Sequence, residues 1–228
     1  MLRLIGKEAL AYLQLGLSTG RYSGQLGSGE LGTLFVPGVA GHPSQFASLQ
    51  ASLTEAGFDA FDAHAYRLDR ALPQLAAELR ARLEDSSTLP GSERVLLVGH
   101  SLGGVLCAAA LQLLPELPAR VAGLVTICSP LHGTRASRFA VRASLRQLRP
   151  DASFITQLIA TQDRLLPLRG RVLTIGVATD QLVHPASSAY LEGATQLHLD
   201  GVAHAGSLLD RRTHAAVVEL AATLARAD

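Results

Sequence analysis

Residues 94–111 read RVLLVGHSLGGVLCAAAL and decide the fold. After Arg94, the next four residues are apolar and two of them are β-branched valines, so residues 94–98 predict a short buried strand. The residues after Gly104 include the strong helix formers Leu106, Ala108–Ala110 and Leu111 and predict a helix. Between strand and helix lies Gly99–Gly103, a G-x-S-x-G pentapeptide. Strand, tight turn and helix together favour a turn that presents Ser101 at the carboxyl edge of a sheet, over a glycine-rich turn that contains serine by chance.

The composition indicates one α/β domain of ordinary globular character. The chain has 228 residues, of which 48% are hydrophobic and 17% charged, and its net charge is +1. This balance excludes a nucleic-acid partner on electrostatic grounds, and the lack of Trp argues against base stacking. Cys107 and Cys128 lack metal-ligand spacing. We expect them to be buried free thiols, with a disulfide as the alternative.

Apolar strand patterns alternate with amphipathic helix patterns along the chain. Six strands are predicted, at 31–36, 58–63, 94–98, 121–127, 172–177 and 196–199. Helices are predicted at 44–56, 73–84, 104–115, 153–162 and 213–225. Such alternation predicts βαβ units, and hence a mostly parallel sheet with helices on both faces. We therefore expect residues 31–228 to form a single α/β domain.

Residues 1–30 precede this predicted domain and differ from it in pattern. Residues 2–17 have apolar positions at helical spacing, and residues 18–30 are rich in Gly and Ser, which predicts an amphipathic helix and a linker. Lys7 and Glu8 interrupt the apolar run, so a signal peptide is not expected. We therefore expect a cytoplasmic location. The helix is expected to dock on its own domain. Peripheral membrane association or self-association through residues 2–17 is the alternative.

A serine hydroxyl becomes a nucleophile only when a base removes its proton, and that base needs an acceptor on its other nitrogen. Where a nucleophilic serine lies in such a strand–turn–helix arrangement, the acid follows it in the chain and the histidine follows the acid. Asp180 follows the predicted strand 172–177, and His204 follows the last predicted strand in a loop of small residues. The weaker candidates are Asp151, Asp163, Glu192 and Asp200 for the acid, and His100, His132, His184, His198 and His214 for the base.

Stabilising a developing oxyanion takes two backbone N–H donors. One is expected from Leu102, directly after the serine. The other is expected from the glycine-containing loop 36–42, where Val39 is the preferred donor and Ala40 the alternative. A plain turn without this role is the competing interpretation.

In four sequence blocks the chain resembles members of the α/β-hydrolase superfamily and, within it, small bacterial lipases and esterases. They are FVPGVAG at 35–41, VGHSLGG at 98–104, SPLHGT at 129–134, and the segment from Asp180 to GVAH at 201–204. The resemblance implies an α/β-hydrolase fold with a minimal lid and a catalytic triad. The chain departs from these lipases at Pro37, where they usually carry His. Larger relatives hold calcium near the His loop, but Asp210 alone does not establish such a site, and no metal or cofactor is expected.

These residues predict a serine ester hydrolase that cleaves apolar acyl esters, with a small-molecule or lipid ester as substrate. A thioesterase or acyltransferase with the same triad is the alternative, and a non-catalytic binding protein on this scaffold is a third interpretation. Residues 131–168 are expected to shape the acyl pocket. The predicted lining residues are Leu131, Leu158, Ile159, Leu165 and Leu166.

Overall fold

A computed structural model describes residues 30–39 and 41–226 of the chain. Its centre is a six-stranded, fully parallel sheet with strand order β2-β1-β3-β4-β5-β6. The strands are β1 Leu31–Val36, β2 Phe61–Ala63, β3 Arg94–His100, β4 Val121–Ile127, β5 Val172–Val177 and β6 Thr195–Leu199. All six predicted strands are present, although β2 is shorter than predicted and β3 is two residues longer.

Helices connect the strands, as the alternating pattern predicts. The α-helices are α1 Ala47–Glu55, α2 Leu72–Glu84, α3 Leu102–Gln112, α4 Ala143–Arg146, α5 Ser153–Ala160 and α6 Arg211–Arg226. The predicted helix at 44–56 is divided, because a 3-10 turn at Pro43–Phe46 precedes α1. Within the described residues, no helix combines the length and apolar character that crossing a bilayer demands.

Two apolar layers cover the two faces of the sheet. One layer joins α2 and α3 to the sheet through residues such as Leu79 and Leu106. The other joins α1 and α6 to the opposite face through residues such as Leu53 and Val217. Strand β1 contributes alternately to the two layers, as a buried parallel strand must. The predicted α/β-hydrolase fold, with a parallel sheet and helices on both faces, is confirmed.

This topology brings the loops that carry chemistry to one edge of the sheet. Strands β1 and β3 are neighbours, and β5 pairs with both β4 and β6. Because all strands are parallel, the segments that follow β1, β3, β5 and β6 leave the sheet on the same side. The predicted helix at 2–17, and its linker up to residue 29, lie outside the described residues, as does Ala40.

Candidate active site

Ser101 occupies the turn between β3 and α3, and its backbone is strained. Its φ of 54° and ψ of −124° fall in a region that residues other than glycine rarely adopt. Such strain persists only where the surrounding structure holds it, and it is concentrated at functional sites. Ser101 is half-buried, with Leu102 beginning α3 directly after it. The predicted strand–turn–helix arrangement around this serine is therefore present.

Close backbone approach explains the glycines of this turn. A Cβ added at Gly103 would lie 2.0 Å from the carbonyl oxygen of Val36, and one added at Gly104 would lie 2.0 Å from Oγ of Ser129. Both distances are far below any real Cβ contact. The helix thus packs directly onto the end of β1 and the loop after β4, and a larger residue at either position would force these atoms to shift.

Asp180 and His204 form a buried pair beside this turn. Nδ1 of His204 lies 2.8 Å from Oδ2 of Asp180, and the two side chains are only 2% and 1% exposed. The other carboxylate oxygen accepts the N–H groups of Leu182 and Val183 at 2.8 and 2.9 Å. The acid is therefore anchored by its own loop and orients the imidazole with its free oxygen.

The surroundings of Asp180 keep it ionised. Burial alone would raise the pKa of this carboxyl. The hydrogen bond and charge of His204, together with the N–H groups of Val183 and Leu182, outweigh burial, so the pKa lies below the ordinary Asp value. A carboxylate that stays negative can stabilise positive charge on the neighbouring ring.

His100 lies against His204 and stays neutral. The two ring centroids are 5.0 Å apart and the rings are tilted by 53°. Burial, followed by repulsion from His204, lowers the pKa of His100 to about 3. A neutral imidazole here packs against the His204 ring without adding a competing charge.

A cavity of about 790 Å³ opens over these residues. Ser101, His204, Leu102 and Val39 all line it, so the structure brings the predicted nucleophile, base and oxyanion donors to one space. Its remaining wall is largely apolar and includes Ala136, Ala140, Leu145, Leu148, Leu182 and Val183. A cavity of this size and lining suits an apolar group next to a reacting serine.

The residues predicted to line the acyl pocket lie elsewhere. Leu131, Leu158 and Leu165 are buried in the layer that contains α3. Leu166 and Leu165 border a separate cavity near β5, and Ile159 is an exposed residue of α5. None of the five is among the residues that line the cavity over Ser101. Within the predicted range 131–168, only the first half reaches the site, because the chain from 153 onward turns back to pack on α3.

Two residues that support the site were not predicted from the sequence. The hydroxyl of Tyr66 donates to the carbonyl of Pro37 at 2.8 Å, which fixes the loop that carries Val39. Burial raises the pKa of Tyr66, so this hydroxyl remains a donor. Thr134 accepts from the N–H of His184 and donates to the carbonyl of Leu182 at 2.7 Å, which ties the Asp180 loop to the cavity wall. Thr134 belongs to the SPLHGT block at 129–134, so the sequence marked its segment although not its role. Nothing in the sequence singled out Tyr66.

Two of the other candidate histidines, His214 and His198, have partners unrelated to Asp180. His214 has both ring nitrogens satisfied, by Ser52 and by the carbonyl of Leu208. His198 is exposed on β6 and contacts the ring of Tyr190, as its alternation with leucines predicts. Among the described residues, His204 is the histidine whose ring is hydrogen-bonded to the carboxylate of Asp180.

One group of potential metal ligands is found among the described residues. Ligand atoms of Cys128, Asp180 and His204 lie within 4.8 Å of one another. A metal ion there would have to displace the hydrogen bond between Asp180 and His204. Cys107 and Cys128 are both buried, and neither forms a disulfide bond within the described residues.

Comparisons with known proteins agree with this architecture. A family model described as the alpha/beta hydrolase fold matches residues 34–153, just over half of the chain. No curated protein sequence matches the chain significantly.

Among solved structures, Aspergillus fumigatus lipase B is similar with a TM-score of 0.68 and 20% identity. That match covers 87% of this chain and 53% of the fungal lipase, so this chain spans about half of its length. A structure from a study of Nitrososphaera gargenis carboxylesterases has a TM-score of 0.59 at 14% identity, covering 87% of this chain and 92% of that one. A lipase-esterase related protein from Clostridium acetobutylicum has a TM-score of 0.55 at 14% identity, covering 86% and 95%. These likenesses concern the fold, and with the family match they lead to one conclusion: the chain belongs to the α/β-hydrolase fold family.

Proposed function

We propose that the chain is a serine hydrolase that cleaves apolar acyl esters, in the manner of a lipase or carboxylesterase. The observation that carries the proposal is the shared cavity: a strained serine and a histidine paired at 2.8 Å with a buried carboxylate both line one apolar space. This combination of nucleophile, base and orienting acid is what acyl transfer through a serine requires.

In the proposed reaction, Ser101 Oγ attacks the ester carbonyl carbon while Nε2 of His204 takes the hydroxyl proton. Asp180 accepts the hydrogen bond from Nδ1–H of His204, which fixes the tautomer and stabilises the imidazolium. The tetrahedral intermediate collapses when His204 returns that proton to the departing alcohol. Water, activated by the same histidine, then attacks the acyl-enzyme and releases the acid.

The negative oxygen of the intermediate is proposed to bind the backbone N–H groups of Leu102 and Val39. Leu102 is the first residue of α3, and the first N–H groups of a helix have no acceptor within it. The positive end of the helix dipole also favours negative charge at this point. Val39 lines the same cavity and belongs to the loop after β1, which is held by the hydrogen bond from Tyr66 to Pro37.

The largely apolar wall of the cavity supports an apolar acyl group as the preferred substrate portion. Leu145, Leu148 and Val183 offer no charged partner to a polar acid. Burying an alkyl chain against them gains roughly 0.8 kcal/mol per methylene. An ester with a medium or long acyl chain should therefore be turned over more efficiently than acetate.

Covalent labelling tests the nucleophile. Full-length protein is incubated with a fluorophosphonate probe and analysed by intact mass. We expect one adduct per chain, lost in Ser101→Ala and strongly slowed in His204→Ala. Ser137→Ala is the matched control, because Ser137 lines the same cavity but donates to the carbonyl of Thr134. Absence of labelling on folded protein, or persistent labelling of Ser101→Ala, would refute the proposal.

Substrate class is tested by comparing kcat/KM for p-nitrophenyl esters of increasing acyl length, matched acyl-CoA thioesters and emulsified triglycerides. We expect the esters to be preferred over thioesters with the same acyl group. A clear preference for thioesters would instead favour the thioesterase alternative, because the same triad serves both reactions.

A further inference from the structure

The segment at residues 135–149 carries an unbalanced positive charge. It contains Arg135, Arg138, Arg142, Arg146 and Arg149, and the sequence has no Asp or Glu between Glu116 and Asp151. The first four of these arginines are exposed. Within the part of the chain that the structure describes, none of the five makes an ion pair with a carboxylate. A quarter of all the cationic side chains thus lies in this arginine segment, in a chain of net charge +1.

The same arginine segment exposes two large apolar side chains. Phe139 is 88% exposed and Val141 is 89% exposed, more than any other large hydrophobic residue among those described. They follow one another with only Ala140 between them, at the end of a 3-10 turn. An aromatic and a β-branched side chain held fully in water, among arginines, are typical of a surface that meets a partially apolar, negatively charged partner.

The position of the arginine segment relates it to the cavity over Ser101. Ala136, Ser137 and Ala140 line that cavity, and Phe139 and Val141 are the chain neighbours of Ala140. Val141 and Arg142 also border an adjoining hollow of about 420 Å³, where Asp69 is already paired with Arg67 at 3.3 Å. A partner that covers Phe139 and Val141 would therefore lie beside the cavity.

We propose that the arginine segment docks this protein on an anionic lipid surface, with Phe139 and Val141 inserted between headgroups and the arginines bound to lipid phosphates. A bilayer surface fits both observations together, since it offers negative charge at the headgroups and apolar contact just beneath them. Arg guanidinium groups bind phosphate oxygens through paired N–H donors. The docking surface is distinct from the helix predicted at 2–17 and stands independently of any reaction at Ser101.

Vesicle co-sedimentation tests this proposal with the full chain. Wild-type protein is mixed with vesicles of phosphatidylcholine alone, and with vesicles of equal parts phosphatidylcholine and phosphatidylglycerol. We expect binding to the anionic vesicles only, weakening as salt rises from about 0.05 to about 0.5 M because added ions screen the arginines. The measurement is repeated with Ser101→Ala, which separates docking from catalysis.

Two double variants locate the docking surface. Arg138→Gln/Arg142→Gln should weaken partitioning by roughly 25-fold, about fivefold per arginine. Phe139→Ser/Val141→Ser should weaken it roughly tenfold through lost apolar burial. Both should hydrolyse a soluble short-chain ester at the wild-type rate. The matched controls are Arg169→Gln/Arg211→Gln and Leu114→Ser/Leu166→Ser, which change exposed residues outside the arginine segment and should leave binding unchanged.

Several results would overturn the proposal. Equal binding to neutral and anionic vesicles would show that the arginines do not contribute to binding. Absence of vesicle binding would show that a lipid surface is not the partner. Undiminished binding by both double variants would move the lipid contact to another part of the chain. If vesicles are not bound but the Phe139/Val141 variant abolishes self-association in sedimentation velocity, the surface meets a second copy of the chain and the lipid proposal is wrong.

Discussion

Oδ2 of Asp180 lies 2.8 Å from Nδ1 of His204, while the other oxygen of the same carboxylate is held by its own loop. The residues are separated by 24 positions in the sequence but by one hydrogen bond in space. Because Leu182 and Val183 fix one oxygen, the other keeps a constant direction toward the ring. Asp180 can thus hold the His204 ring in one orientation without moving.

Replacing Asp180 by Asn should cost most of the activity while leaving the fold in place. The amide can present an N–H to the histidine ring, which would stabilise the wrong tautomer and leave Nε2 protonated. We expect kcat to fall by roughly 10³–10⁴-fold with little change in KM. Asp151→Asn, at an exposed position, is the control for the loss of one charge. An Asp180→Asn variant with near wild-type kcat would contradict the role proposed for Asp180.

The same carboxylate should contribute to the acid dependence of stability. The pKa of Asp180 is lowered from 3.8 in the folded state, chiefly because the His204 and backbone hydrogen bonds outweigh burial. A lowered pKa adds stability that is complete above pH 3.8 and is lost as the pH falls through the folded-state value. Urea midpoints from pH 6 down to about 2.5 should fall less steeply in Asp180→Asn than in Asp151→Asn. Parallel pH profiles for the two variants would show that the folded-state pKa of Asp180 is not lowered.

The fold could be predicted from the sequence because its signals are local. Each buried parallel strand is a short apolar run, and β1, β4 and β5 were predicted to the residue. The candidate triad could also be proposed, since each member follows a recognisable strand. Tyr66 could not, because its role depends on a hydrogen bond to Pro37 across 29 positions. The residues predicted to line an acyl pocket fall outside the cavity over Ser101 for a related reason: apolar periodicity identifies buried faces, and it does not distinguish a cavity wall from a packed core.

Gly104, near the start of α3, provides a test of close packing in which the obstructing atom can be removed. A Cβ at position 104 would meet Oγ of Ser129 at 2.0 Å and its Cβ at 2.9 Å. Gly104→Ala should therefore destabilise the protein by about 1–3 kcal/mol, and Ser129→Gly should recover part of that loss.

Gly103→Ala is the comparison for this rescue. Its Cβ would meet backbone atoms of Val36 and Pro37, which no side-chain change can remove. The unfolding free energy of each single and double variant, from urea titration, gives the coupling. Equal rescue of both alanine variants by Ser129→Gly would show that direct contact with Ser129 is not the cause.

Removing the Tyr66 hydroxyl should slow the reaction through the loop that carries Val39. The hydroxyl donates to the carbonyl of Pro37 at 2.8 Å, so Tyr66→Phe frees the loop while keeping the ring. A hydrogen bond of this kind contributes about 0.5–1.5 kcal/mol, which corresponds to a fall in kcat of up to about tenfold. We expect KM to stay nearly constant, because the donor N–H acts on the developing oxyanion. Tyr190→Phe, away from this loop, is the control, and an equal loss there would argue for a general packing effect.

Acyl-chain selectivity separates the cavity wall from the core. Leu148 lines the cavity over Ser101, whereas Leu158 does not, and both are 6% exposed. Each change to Ala should destabilise the protein by about 2–5 kcal/mol, so stability alone does not distinguish them. Only Leu148→Ala enlarges the space beside the serine. We expect its preferred p-nitrophenyl ester to be longer by roughly two to three methylene units, the size of the group removed. The kcat/KM profile of Leu158→Ala against acyl length should match the wild type. A shift in acyl-length preference shared by both variants would mean that the preference depends on loosened packing. A shift confined to Leu158→Ala would show that the acyl pocket lies at α5.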